Sequence, residues 1–292
     1  MKLFDCTLFY DEDLILNTRF NILNQYFDKF VICESKYSHS GRKKKLNFNI
    51  NNFSEFKNKI IYIVDDEEPK DLREEIPQYY RHNSIRRIAH QRNKLKNTVN
   101  DLADSNDFIF YSDNDEIPNM KKFNKENETS KIIIFEQKLF YYKFNLVYDG
   151  LPWYGTKAVR KKNLLNFEWL RQIKPKKYNL LRLDTLFKKD KYIDLKIIRD
   201  GGWHFTRVIS PEEIHQKELD AEHHDEYRAS NKNPDKIRDL INRRMIDHNH
   251  ITDSKQSKYE SEFKLRVLPM NELPEYINNN LNIYEEYLDL RD

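Results

Sequence analysis

Four side chains have the types and spacing that hard-metal and phosphate chemistry requires: Asp113, Asp115 and Glu116 in YSDNDEIP, and His204 in DGGWHF. Two carboxylates separated by one residue can share a divalent cation, with Glu116 beside them as a further ligand or a hydrogen-bond acceptor. Mg²⁺ or Mn²⁺ suits carboxylates combined with phosphate oxygens, and an added imidazole favours Mn²⁺. His204 is the candidate for that imidazole. Gly201 and Gly202 let the backbone come close to a ligand, while Trp203 and Phe205 hold the strand in a packed layer. The plainer readings are a solvated, Asp-rich turn and a hydrogen-bonded core histidine between two aromatic residues.

The acidic turn follows the apolar run DFIF directly. In open α/β sheets ligands gather at the carboxyl ends of strands, so this placement points the carboxylates at a binding crevice. The preceding chain alternates strand-like and helix-like segments. Strands are predicted at Lys2 to Phe9, Lys29 to Cys33, Ile60 to Val64 and Phe108 to Tyr111. Between the first two, Leu16, Phe20, Leu23 and Phe27 recur at helical spacing, and a second helix is expected from Gln78 to Leu102. After Pro118 come the aromatic-rich KIIIFEQKLFYYKFNLVY and helical patterns at about Pro211 to Glu222, Pro234 to Asp247 and Pro274 to Leu288. The polar stretch His248 to Tyr259 reads as a loose loop. The expected fold class is α/β: a Rossmann-like, mainly parallel sheet flanked by helices, with C-terminal helical elaboration. Without an internal repeat or a Gly/Pro/Ser-rich linker, the expectation is one domain over residues 1–292, with a nucleotide-binding half to about 118 and an acceptor-side half from about 119.

Composition narrows the function classes. Lys plus Arg number 51 against 48 for Asp plus Glu, too even a mixture for a dedicated nucleic-acid binder. The basic run Arg42 to Lys45 reads as a solvated loop or as an attractor for an anionic substrate. Cys6 and Cys33 lie in apolar runs and read as core residues in a reducing compartment, so a cytoplasmic location is expected. No stretch approaches the roughly 18 apolar residues of a membrane span.

In detail DFIFYSDNDEIP resembles the acidic motif of GT-A glycosyltransferases, and in particular glycosyltransferase family 17, which contains the bisecting N-acetylglucosaminyltransferase of N-glycans and many bacterial relatives. Other segments agree. DEDLILNTRFNIL with FDKFVICESKYSHSG is similar to the family's opening helix and second strand, ending at Glu34 and Ser35. Gln91, Arg92 and Asn93 look like the family's QRN, and WYGTKA, GGWHF, HDEY at His224 to Tyr227 and LPEYINNNLNIYEEYL resemble later blocks. The luminal animal enzymes carry a membrane anchor that this sequence lacks, which points away from a Golgi N-glycan substrate.

This resemblance implies an inverting transfer of a sugar from a nucleotide-sugar donor, UDP-linked, to a hydroxyl of a glycan acceptor; the family's named member implies N-acetylglucosamine. It implies direct metal contact by Asp115, with Asp113 facing the ribose or reaching the metal through water. Arg92 would pair with a phosphate and Asn93 with the nucleotide, or both would lie on a solvated helix face. Glu34 and Ser35 would meet the uracil or ribose edge, or Ser35 would merely cap a turn. Gly155 would admit the donor or acceptor sugar, on which Trp153 and Tyr154 could stack. Inversion needs a carboxylate to take the acceptor proton. Asp200, Glu168 and Glu226 are each compatible by chain order, with Asp200 preferred because it immediately precedes the Gly-Gly block, although an ordinary loop aspartate fits that position too.

Two rival classes remain. A metal-dependent phosphodiester hydrolase or nuclease would use the same acids with His223, His224, His248 and His250, the last two in DHNH. A noncatalytic carbohydrate-binding module would rest on 18 Tyr, 18 Phe and 3 Trp, a richness that core packing also explains.

Overall fold

The computed structural model describes residues 1–176, 194–250 and 261–291. The chain starts with β1 (Leu3–Phe9), α1 (Asp13–Leu23), β2 (Lys29–Ser35) and β3 (Ile60–Asp65). Next come the long α2 (Pro77–Leu102), β4 (Phe108–Tyr111) and β5 (Glu116–Pro118). β1, β2, β3 and β4 are continuous apolar runs of the kind that parallel strands buried on both faces require. They pair in parallel: Phe4 lies beside Lys29 and Ile109, and Phe30 beside Ile60. The expected opening strands and helices are therefore present, with ends shifted by a residue or two.

The second half is built around two long strands, β6 (Ile132–Tyr141) and β7 (Leu146–Arg160), followed by α3 (Phe167–Gln172). β7 runs antiparallel to both β4 and β6. It carries the sheet onward, through β6, to β8 (Leu195–Ile198) and β9 (Gly202–Thr206). The order β3-β2-β1-β4-β7-β6-β9-β5 places the strand after Gly201 next to the short strand after the acidic turn. One ten-stranded sheet thus joins elements from both halves, mixed but mainly parallel, with helices against it. α4 (Pro211–Asp220), α5 (His224–Ala229), α6 (Pro234–Asn242), α7 (Glu275–Asn279) and α8 (Leu281–Tyr284) supply the helical elaboration.

Two predicted helices are shorter than expected. The pattern from Pro234 stops at Asn242 and turns into β10 (Met245–Ile246), which pairs with β11 (Phe263–Lys264); the pattern from Pro274 breaks at Asn280. α4 starts on a capping box: the Ser210 side chain accepts from the Glu213 amide, and the Glu213 carboxylate accepts from the Ser210 amide. Of the loop expected over His248 to Tyr259, residues 251–259 lie outside the described residues.

Two apolar layers sandwich the sheet. One gathers α1 residues Leu16, Phe20 and Leu23 with Phe27, Phe30 and Phe110; the other gathers α2 residues Leu95 and Val99 with Cys6, Cys33 and Ile109. Both cysteines are buried, free thiols in the second layer, and burial pushes both thiols up. Behind β1, the fully buried Arg19 of α1 pairs with Asp5 at 2.5 Å and donates to the Glu116 carbonyl at 2.5 Å. The same guanidinium therefore ties a helix, the central strand and the acidic corner together.

Candidate active site

Just past β4, the Ser112 hydroxyl meets that of Thr156 on β7 at 2.7 Å. The chain then turns sharply. The Glu116 amide donates to the Asp113 carbonyl at 3.0 Å, and the Asp113 amide donates to Glu116 Oε2 at 3.0 Å, so the Glu116 carboxylate closes its own turn. β5 then pairs antiparallel with β9, setting Glu116 opposite His204, and the Phe205 amide donates to the Asp115 carbonyl at 2.8 Å. Glu116 and His204, 88 positions apart, are thereby laced into one ladder. Gly202 belongs to this lacing. At φ +137° any Cβ would lie 2.1 Å from the Ile117 carbonyl oxygen, which explains the second glycine.

The three acids of the turn have separate environments. Asp113 accepts from Arg171 at 2.8 and 3.1 Å and from the Tyr111 hydroxyl at 3.2 Å, with Arg92 at 3.4 Å. Burial pushes its carboxyl up, but Arg171 and Arg92 more than offset this and hold it well below the usual carboxylate range. Asp115 Oδ2 lies 3.2 Å from His204 Nε2. Burial opposes charge on both, yet each favours the charged form of the other: Asp115 is lowered and His204 raised. Glu116 is fully buried and accepts the Trp153 indole N–H at 2.7 Å. Burial raises its carboxyl, with Arg171 acting in the opposite sense. The Trp153 ring, so fixed, lies 4.5 Å from the His204 ring. Among the described residues, His204 Nδ1 is buried without a hydrogen-bond partner.

Asp113, Asp115 and His204 line a cleft of about 590 Å³, together with Arg92 and Ser35. One end is built from the β1 and β2 ends and α2, with Tyr10, Tyr37, His39, Ile88 and Gln91. His39 there is pushed down to about 4 by burial. The other end carries Tyr141, Leu151, Trp153, Thr206 and Arg207, with His248 and His250 of DHNH. Ser35 keeps a turn role as well, its hydroxyl accepting from the Tyr37 amide at 3.1 Å.

Six expected site residues are employed elsewhere. Glu34 is fully buried and its carboxylate is filled by Lys44 Nζ at 2.5 Å, the Asn47 and Phe48 amides at 2.7 and 3.0 Å and the Tyr62 hydroxyl at 2.8 Å. It fastens a loop, and two cations of the basic run are engaged: Lys44 on Glu34 and Arg42 on Asp220. Asn93 is exposed and accepts the Glu168 amide at 3.3 Å, tying α2 to α3. Gly155 is required by packing, because a Cβ there would lie 2.0 Å from Gln137 Oε1 and 2.8 Å from Glu116 Cδ.

The three expected bases also stand apart from the cleft lining. Asp200 is exposed in the turn before β9, at φ +48°. Glu168 binds Arg92 at 2.8 Å and so acts on the guanidinium beside Asp113. Glu226 is 41% exposed and faces His223 at 3.3 Å.

Further charged residues gather at the site beyond those expected from the sequence. Arg171 of α3 clasps Asp113, and Glu12, just after β1, binds Asn114 and Lys217. Glu218 pairs with Arg207, and Asp220 with Tyr10 and Arg42. The strand-end rule that exposed Asp113 applies equally to Glu12. The α4 acids carry no comparable signal, since on an isolated helix they read as a solvated face.

These donors fit a metal ion only with help from a substrate. Among the described residues no three His, Cys, Asp or Glu side chains converge as a cage. Asp115 and His204 nevertheless suit an ion that takes its remaining ligands from phosphate and water, as Mg²⁺ commonly does. Adjacent ligands of an octahedral ion, at about 2.1 Å each, lie about 3 Å apart, close to the separation observed between these two. Asp113 already faces two guanidinium groups, whose positive charge disfavours a further cation there.

Comparison with known proteins completes the description. The profile of glycosyltransferase family 17 matches residues 1–251. Among solved structures, HddC from Yersinia pseudotuberculosis complexed with GMP-PN is 14% identical, with 68% of this chain and 90% of that chain covered at a TM-score of 0.35. The inositol-1-phosphate CTP transferase from T. maritima is 11% identical, with 73% and 94% covered at a TM-score of 0.32. Likeness of that degree carries no argument about activity. A search of curated proteins finds no match.

Proposed function

The chain belongs to glycosyltransferase family 17, and from that premise we propose that it moves a sugar from a UDP-linked donor to a glycan hydroxyl, with inversion, using Mn²⁺ or Mg²⁺. The observation that carries this reading is the Asp115–His204 pair, 3.2 Å apart where β4 ends and in the middle of the cleft. An N-acetylglucosaminyl donor rests on the family resemblance alone. Two buried free thiols support a reducing, cytoplasmic setting. No helix of the described residues is long and apolar enough to cross a membrane.

The roles follow from position. The Ser35, Tyr37 and His39 end receives the nucleoside, between two strand ends and one face of α2. Asp115 and His204 hold the ion, which when bound offsets the charge that develops on the departing diphosphate. Lys217, held by Glu12 and close enough to lower Asp115, supplies a fixed cation to the same phosphates. Arg171 and Arg92 keep Asp113 ionised and oriented toward the ribose. Trp153, locked by its bond to Glu116, presents a flat apolar wall to the sugar.

A thermal-shift matrix of UDP, CDP and GDP with and without Mn²⁺ tests the reading, since a ligand at a hundredfold its Kd stabilises the native state by about 2.7 kcal/mol. The expected result is a rise with UDP and Mn²⁺ together that exceeds the sum of the separate rises. No rise with any nucleotide overturns it, and cleavage of a DNA or RNA strand returns the phosphodiesterase reading.

A further inference from the structure

Inverting transfer, as proposed above, needs a group that removes the acceptor proton while the oxygen attacks the anomeric carbon, and every carboxylate that chain order suggested lies off the cleft lining. The acids that do line it are mostly engaged. Glu12 binds Lys217 and Asn114, Asp113 binds two arginines, Asp220 binds Tyr10 and Arg42, and Asp115 faces His204. Glu222 pairs with Arg81 at 2.8 Å and acts on His39, which puts it at the nucleoside end.

Glu218 is placed differently. Arg207 Nε and Nη2 both bind its Oε1, at 2.8 and 2.6 Å, leaving Oε2 without a hydrogen bond among the described residues. Its side chain is 14% exposed, dry enough to hold one orientation and open enough to meet a substrate. Arg207, its anchor, lies 5.7 Å over the Tyr141 ring at the far end of the cleft. It follows His204 by three residues, a span of at most about 10 Å along an extended chain. A pyranose ring and the attacking oxygen need several ångströms between the leaving group and the base, so this separation suits displacement from opposite sides.

We propose that Glu218 is the general base of the transfer, an assignment that rests on the reading under Proposed function. Its Oε2 takes the proton of the acceptor hydroxyl, whose oxygen forms a bond to the anomeric carbon. The bond from that carbon to the diphosphate oxygen breaks, and the nucleoside diphosphate leaves with the electron pair.

The test uses the full chain and lets water serve as acceptor, following UDP release from UDP-N-acetylglucosamine, UDP-glucose and UDP-galactose with Mn²⁺. Glu218→Gln is expected to lower release about 100-fold or more, the usual scale of general-base catalysis, with the UDP–Mn²⁺ thermal shift unchanged. In Glu218→Ala, azide needs no deprotonation. It should restore turnover at least about tenfold and give a glycosyl azide of anomeric configuration opposite to the donor's. The isosteric Gln variant and its binding control keep the test valid if the Ala variant does not fold. Release within threefold of wild type in Glu218→Gln, or a lost UDP shift in that variant, overturns the assignment. A folded Ala variant that azide does not rescue does the same. If the wild-type chain neither binds UDP nor releases it, the premise itself fails and this proposal falls with it.

Discussion

Two buried polar groups on opposite flanks of the sheet, Glu34 and His204, are held in opposite ways. On the β2 flank, Glu34 is sealed from solvent and every lone pair has a use: a lysine, two amides and a phenol fill the carboxylate. On the β9 flank, His204 is nearly as buried, yet among the described residues one ring nitrogen has no partner and the other faces a carboxylate at 3.2 Å. A buried polar group left incomplete costs free energy, so it persists where something else completes it. The contrast separates a carboxylate that fastens a loop from an imidazole that the proposed ion and donor would complete.

Perturbing the completed set should cost stability without a direct chemical effect. The largest effect is expected from Arg19→Ala, which strands a buried Asp5 and removes a donor from the Glu116 carbonyl. Urea denaturation should show a loss of about 3–5 kcal/mol; a loss below 1 kcal/mol would erase the distinction between the flanks. Asp115→Ala should do the reverse. Turnover and metal-dependent donor binding should fall by about 10²–10³-fold, with the urea midpoint close to wild type. Full activity in that variant would remove the metal role from the turn.

Smaller effects sharpen the boundary. Gly155→Ala places a methyl group against Gln137 and the Glu116 carboxyl and should cost about 1–3 kcal/mol by calorimetry. If that variant is as stable as wild type, the close approach of β7 to the acidic corner is not the reason for the glycine. Lys157, on β7 and bonded to the Arg171 carbonyl, is pushed down to about 7 by burial, with Arg171 adding to the effect. Its folded value lies below its unfolded one, so the folded chain binds fewer protons than the unfolded chain above about pH 7. Stability therefore gains a rising component from about pH 7 toward pH 10, near 1.4 kcal/mol per pH unit at most. Lys157→Met should lose that component and gain stability at pH 6. A variant whose stability follows pH as the wild type does would show that the lysine is not desolvated.

Local patterns announced much of this architecture. FIFY, the run through Cys33 and the amphipathic face of α1 declare themselves through period and composition, and the acidic turn through its position after an apolar strand. Glu34 misled because its partners, Lys44, Asn47 and Phe48, arrive from a loop ten or more residues later. Asp200 misled through adjacency: it sits in the turn that leads into β9, exposed and off the cleft lining, although only four positions separate it from His204. Glu218 was invisible for the converse reason. It lies on a helix whose orientation against β9 depends on Arg207, a residue at φ +58° that redirects the chain just past the strand.

The ladder between β5 and β9 also advises anyone wishing to retarget the enzyme. Because the Asp115 carbonyl is pinned by the Phe205 amide and Gly202 tolerates no side chain, random libraries spread over that ladder would mostly yield misassembled corners. Leu151 and Thr206 line the same hollow from outside the β5–β9 pairing, so diversity concentrated there can reshape the cleft wall while the corner stays rigid.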